Sequence, residues 1–357
     1  MNKTYFYTVF LLVQLLLMQL LKFFPEAVEK WYSRGIYPYI SNFSRTIFGF
    51  LPFSVGDILY GILLFFLIKW LIQNRKIGFI QWKKSFFQIV KVIALFHFFF
   101  QILWGINYLR IPLHQKLNIN KTYSEAELIQ FTESMLLLTN NLQEKITKND
   151  TSKVVLPYSH DSIYNLALLG YQKLPKDLQE FEYKNKSIKN SLLSYPLSYM
   201  GFGGYLNPFT NEAQVNYLKP KYGTPLTTCH EMAHQTGIGS ESECNFIGFM
   251  AAFHHDDLYF QYAATSFALR YGLHQIAEFN PEKSKSLTEK INKGVLKNFK
   301  ENNLFWESYH TPIDTFFEYF YDNFLKANQQ KDGMEGYSKF IGLLIGYSKK
   351  EAQNSLH

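Results

Sequence analysis

The chain is poor in cysteine and in charge. Only Cys229 and Cys244 are present among 357 residues, so at most one disulfide can form and no disulfide framework holds the fold. We expect both thiols to be small buried groups, since local helix geometry opposes a bridge between them. Charged residues make up 18% of the chain, and part of the net charge of +7 sits in one short basic link. No stretch interleaves basic and aromatic residues as a nucleic-acid surface does, so no nucleic-acid partner is expected. Internal repeats and long low-complexity tracts are absent, which excludes a repeat architecture.

Apolar residues, by contrast, are abundant: 47% of the chain, with 34 Phe and 25 Tyr, concentrated toward the N-terminus. Three apolar runs read as transmembrane helices, over about 5–21, 53–72 and 92–109. The first is followed by Lys22-Phe23-Phe24-Pro25 and not by a small-residue cleavage site, so it reads as an uncleaved anchor, a signal peptide being the weaker alternative. The link between the second and third runs carries Arg75, Lys76, Lys83 and Lys84, with Lys69 and Lys91 at the flanking ends. The positive-inside rule puts this link and Lys3 in the cytoplasm and everything after Leu109 outside. The expectation is an integral protein of a bacterial inner or plasma membrane. Residues 1–112 form its membrane region and 113–357 an extracytoplasmic globular domain, with lipid as one partner. Trp31, Tyr32, Tyr37 and Tyr39, in the outer link between runs one and two, suit an interfacial layer. His97 and Gln101, inside the third run, read as a polar contact between packed spans.

The densest chemistry lies at His230-Glu231-Met232-Ala233-His234, an HExxH pattern. On a helix, histidines four apart share one face and can hold one zinc ion, while the intervening glutamate polarises a zinc-bound water. Thr224-Pro225 reads as an N-cap followed by proline at the first helical position, and Gly237 as a C-terminal stop, which predicts a helix over 225–236. A catalytic zinc needs a third protein ligand. Glu241 and Glu243 compete for that role; Ser240 with Glu243 fits a capping box, which leaves Glu241 the freer carboxylate.

With these residues the chain resembles the gluzincin branch of the zincin metallopeptidases, in which HExxH on one helix is completed by a glutamate on a following helix. Glu241-x-x-x-Asn245 matches the spacing of that glutamate to an Asp or Asn. The resemblance implies His230, His234 and Glu241 as zinc ligands, Glu231 as general base, Asn245 as a residue steadying a histidine, and a peptide or protein as substrate. The HExxHxxGxxH branch is excluded, because its third ligand would fall on Ser240. The motif is also similar to that of an uncharacterised bacterial membrane family with three N-terminal spans and a C-terminal HExxH domain.

Gly203–Asn207 and Glu212–Tyr217 bracket a turn containing Pro208 and read as a hairpin. By the same resemblance Val215–Tyr217 would hold a substrate strand, a plain structural sheet being the alternative. His254-His255-Asp256-Asp257 reads as a helix end and the cap of the next helix, not as a second metal site. His160, His274, His310 and His357 lack ligand-like spacing. Tyr259, Tyr262, Arg270 and Tyr271 are all candidates for stabilising a transition state, and the sequence does not choose among them. Helices are further expected over 124–146, opened by a Ser124/Glu127 capping box, and over 162–174, 241–253, 258–279, 281–301, 312–327 and 334–347, with 175–196 irregular. The fold class is therefore α+β, a mainly helical zincin-like domain preceded by three transmembrane helices. The expected function is a membrane-anchored zinc metallopeptidase, a hydrolase of peptide bonds. The alternative is a non-enzymatic membrane sensor or assembly factor with a zinc-binding domain.

Overall fold

An apolar run that leaves water must satisfy its backbone internally, and a helix does so within one segment. The N-terminal runs are helical in the computed structural model, which describes residues 3–75, 82–328, 330 and 333–354. The first is α1 (Lys3–Leu21). A break at Lys22–Phe24 precedes an arm that starts at Pro25, passes through a π-helical turn at Val28–Ile36, and continues as α2 (Tyr37–Gly49). Then come α3 (Val55–Asn74), capped by the Ser54 hydroxyl accepting from the Asp57 amide, and α4 (Trp82–Leu103). By length and composition α3 and α4 can each cross a membrane, whereas α1 qualifies only together with the arm, bent by 101° from it. Among the described residues there are thus two to three helices long and apolar enough to span. The expected third span is displaced: helix runs from Trp82 through Lys83, Lys84 and Lys91, and stops at Leu103 before a 3₁₀ turn at Gly105–Leu109. Lys76 lies outside the described residues. His97 bonds through Nδ1 to Gln14 Oε1 of α1 at 2.9 Å, with Gln101 beside it, which is the expected contact between packed helices.

The rest is helical around one small sheet. The Ser124/Glu127 box opens α5 (Glu125–Thr147), and α6 spans His160–Gln172. The region expected to be irregular contains β1 (Ile188–Asn190), which pairs parallel to β3 (Glu212–Val215), while β2 (Gly204–Asn207) pairs antiparallel to β3 on its other side. Val215 therefore sits in the central strand, with Gly204 on one side and Asn190 on the other, and has no free edge to offer a substrate. Next come α7 (Thr224–Gln235), α8 (Glu241–Phe253) and α9 (Leu258–Phe279). The single helix expected over 281–301 is two helices, α10 (Pro281–Thr288) and α11 (Lys293–Ser308), because Asn292 leaves the helix to bond Asn140, Gln143 and Glu144 of α5. Thr311 caps α12 (Pro312–Ala327), and a 3₁₀ stretch where a helix was expected leads to α13 (Phe340–Asn354).

Packing crosses the expected boundary between membrane region and domain. Glu212 of β3 accepts from the Gly56 and Val55 amides at 2.6 and 3.2 Å, a carboxylate placed at the positive N-terminus of α3. Arg110 pairs with Glu29 of the arm at 2.8 Å, and Lys116 joins the same carboxylate at 2.7 Å.

Candidate metal centre

The HExxH stretch lies on α7, as its spacing predicts, but the helix begins one residue early. Gly223 is the N-cap and Thr224 the first helical residue, its buried hydroxyl without a hydrogen-bond partner. Gly237 takes φ +88° and ends the helix, a conformation that L side chains rarely adopt. That turn brings the Ile238 carbonyl to 2.9 Å from His234 Nδ1. Helix α8 crosses α7 at Gly248, where a Cβ would lie 2.9 Å from the His230 amide nitrogen. Only glycine permits so close an approach, and the approach sets Glu241 and Asn245 against the two histidines.

His230, His234 and Glu241 are all buried, and their ligand-type atoms lie within 4.8 Å of one another. Glu241 Oε2 is 3.2 Å from His230 Nε2 and 3.4 Å from His234 Nε2. The outer nitrogens are engaged: His230 Nδ1 with Asn245 Oδ1 at 2.7 Å, His234 Nδ1 with the Ile238 carbonyl and the Cys244 sulfur. A carbonyl only accepts, so His234 Nδ1 carries a proton, and Asn245 Oδ1 asks the same of His230. In the neutral rings both Nε2 atoms are then lone pairs facing a carboxylate oxygen. Three electron-pair donors converge, and the arrangement is stable only with a cation or a proton among them. Burial disfavours the His234 imidazolium, yet Cys244 and Glu241 hold its pKa well above the ordinary histidine value. Burial likewise raises Glu241, but His234 and His230 outweigh it and hold that carboxyl below the usual range. The cluster can therefore bind a metal ion.

Glu243 is placed elsewhere. Instead of closing a capping box with Ser240, it accepts from the Leu113 amide at 2.7 Å. Tyr321 of α12, which sequence reasoning missed, donates to Glu241 Oε1 at 2.7 Å and so fixes the carboxylate's other oxygen.

Glu231 projects from α7 toward a cavity of about 1280 Å³ that His230, Lys219, Arg270 and Tyr271 also line. Its carboxyl is pushed above the ordinary range by burial, and Oε2 has no hydrogen-bond partner. A Cβ at Gly204 would lie 2.6 Å from Glu231 Oε1 and 2.7 Å from the Gln214 carbonyl oxygen, so glycine here leaves room for both the carboxylate and the neighbouring strand. Lys219 donates to Thr227, one helical turn before Glu231 on the same face of α7. Burial holds its pKa down to about 8, with Glu231 opposing.

The C-terminal end of α7 is seated on the arm. The Gln235 carbonyl accepts from Tyr37 at 3.0 Å and Ser41 at 2.9 Å, and the His234 carbonyl from Trp104 at 3.1 Å. Tyr37 is buried and Tyr32 donates to the Ile102 carbonyl, so of the expected interfacial aromatics only Trp31 and Tyr39 are exposed. Among the other candidates, Tyr262 donates to Asn298, Tyr259 packs its ring on Tyr158, and Arg270 reaches both Asn303 and the cavity. His255 stacks on Phe260 and Asp257 caps α9, so that cluster holds structure together. Cys229 and Cys244 are free, buried thiols. His357 lies outside the described residues.

The sequence model of a protein family of unknown function, DUF3810, matches residues 32–345, and the chain belongs to that family. No curated protein and no solved structure matches the chain.

Proposed function

We propose that this family member is a membrane-anchored zinc metallopeptidase, with His230, His234 and Glu241 as metal ligands and Glu231 as general base. One observation carries the reading: three electron-pair donors converge beside a carboxylate that is raised in pKa, unpartnered at one oxygen and open to a cavity. A His/His/Glu set suits zinc, which would supply a Lewis acid at the cavity wall. Asn245 and the Ile238 carbonyl orient the two rings, and Tyr321 orients Glu241. Glu231 takes the proton of the attacking water and returns it to the leaving amine, a task its raised pKa favours. The Lys219 ammonium, bonded to Thr227 one turn before Glu231 and lining the same cavity, serves a carbonyl oxygen that gains charge. The substrate class is a peptide or protein. The basic residues Arg75, Lys83 and Lys84 put their link in the cytoplasm and the site outside.

The test uses the full chain in detergent. Elemental analysis should find one zinc per chain. Glu231→Gln should keep the zinc and lose roughly 10²–10⁴-fold in peptide hydrolysis. A folded chain that takes up no zinc when it is supplied would sink the metal reading. Zinc retained with hydrolysis indifferent to Glu231→Gln would instead favour the sensor or assembly-factor alternative.

A further inference from the structure

The arm that carries α2 has its polarity reversed. Ile36, Tyr39, Phe43, Ile47 and Phe50 recur at helical spacing and share one face. All five are exposed, Tyr39 at 79%, Phe43 at 69% and Phe50 at 89%. The opposite face holds Tyr37, Ser41, Ser44 and Arg45, all buried against the globular part. In a helix on a water-facing surface the apolar stripe points inward and the polar one outward. Here the inward face is polar: Tyr37 and Ser41 donate to the Gln235 carbonyl, and Arg45 lies over the Tyr183 ring and donates through Nη2 to Asn42. The outward face of α2 carries no charged residue; the exposed charges of the arm, Glu26, Lys30 and Arg34, lie in its earlier turns.

Both ends of the arm join apolar helices. At Pro25 it leaves α1 with a bend of 101°, and at Ser54 it enters α3. If α1 and α3 stand across a bilayer, a segment turned by about a right angle between them runs along the bilayer surface. Exposed Trp31 and Tyr39 are the residue types that anchor at that depth.

We propose that this arm lies flat in the headgroup–acyl boundary of the leaflet on the metal site's side, with the Ile36/Tyr39/Phe43/Ile47/Phe50 face about 5–10 Å deep. It is a lipid contact on its outer side and the seat of α7 on its inner side. The occupant of the outer face is lipid and not a second copy of the chain, because the arm runs at one end into α3, apolar enough to span, and at the other into α1, whose Gln14 bonds Ala94 and His97 of α4, the other helix apolar enough to span. The inference rests on the spanning reading of α3 and α4 and on α1 standing beside α4.

The test labels single cysteines with a nitroxide in the full chain, reconstituted in phosphatidylcholine vesicles. Native Cys229 and Cys244 are fully buried and should not take the label. Tyr39→Cys and Phe43→Cys report on the arm, Leu64→Cys on the middle of α3, and Val155→Cys on the exposed surface of the globular part. All four side chains are exposed, so the substitutions spare the core. Collisions with oxygen and with a water-soluble nickel chelate separate lipid from water. The expected result is a ratio of oxygen to nickel collisions at positions 39 and 43 several-fold above that at 155 and close to that at 64. Arm labels that meet nickel as freely as position 155, with position 64 still in lipid, would overturn the placement while leaving the spans intact. Arm labels shielded from both reagents would overturn it in favour of a protein contact. Nickel reaching position 64 would remove the spanning reading and this inference with it.

Discussion

The last carbonyls of α7 and its cavity-facing side chains follow opposite rules. At its C-terminal end carbonyls are matched with donors: Gln235 by Tyr37 and Ser41, His234 by Trp104. Toward the cavity, matching is withheld at Glu231, which keeps an oxygen unpartnered. Satisfied polar groups give the helix one position, and unsatisfied ones give that position a use. The difference teaches where to look in a chain that no solved structure matches: an unmatched carboxylate beside a cavity is a candidate for chemistry.

Four experiments break or sharpen this contrast. The largest effect belongs to His234→Ala, which removes a ligand; zinc content should fall from one per chain to none, read by elemental analysis. Tyr321→Phe removes the bond to Glu241 Oε1 but no ligand, so zinc affinity should drop by roughly 10–100-fold in a chelator competition. If affinity is unchanged, Tyr321 is packing and not part of the centre. On the seat, Tyr37→Phe deletes a hydroxyl that donates to Gln235 and accepts from Asn211, yet Ser41 still serves the carbonyl. It should cost about 1 kcal/mol, seen as a lower midpoint of unfolding with zinc stoichiometry unchanged. Lost zinc there would show that seat and centre are not separable.

The smallest effect is a slope. Burial holds Lys219 near 8 while the unfolded chain titrates near about 10.4, so between those pH values the unfolded state binds the extra proton. Stability should therefore rise with pH through that window. Lys219→Met should flatten the rise; an equal rise in the variant would assign it to other groups.

Local features of the centre were legible in the sequence because a few neighbouring residues determine them. The HExxH face, the Gly237 stop, the Ser124/Glu127 box and the strand pair around Pro208 belong to that kind. Glu241 was also legible, since its competitor Glu243 is diverted, although to the Leu113 amide and not to the expected cap. Non-local features were hidden. Tyr321 lies 80 residues beyond Glu241 on a helix whose expected span, 312–327, says nothing of what it faces. The arm read as a link with an aromatic layer, because hydropathy records that Tyr37 and Tyr39 are alike and not that they point to opposite sides. Gly204 gave no sign in the sequence that its missing Cβ makes room for Glu231. The break between α10 and α11 follows from contacts of Asn292 with α5, more than 140 residues earlier.

The bond from Tyr37 to Gln235 spans 198 residues, and the bond from Tyr321 to Glu241 closes from the other direction. During synthesis the arm emerges early, the histidines long after it, and Tyr321 later still. No nascent chain shorter than about nine-tenths of the full length can own a finished centre. Competence is thus an event in time: it comes after the first helices have left the ribosome, and a ribosome stalled anywhere before α12 releases a chain whose centre lacks one of its holding bonds.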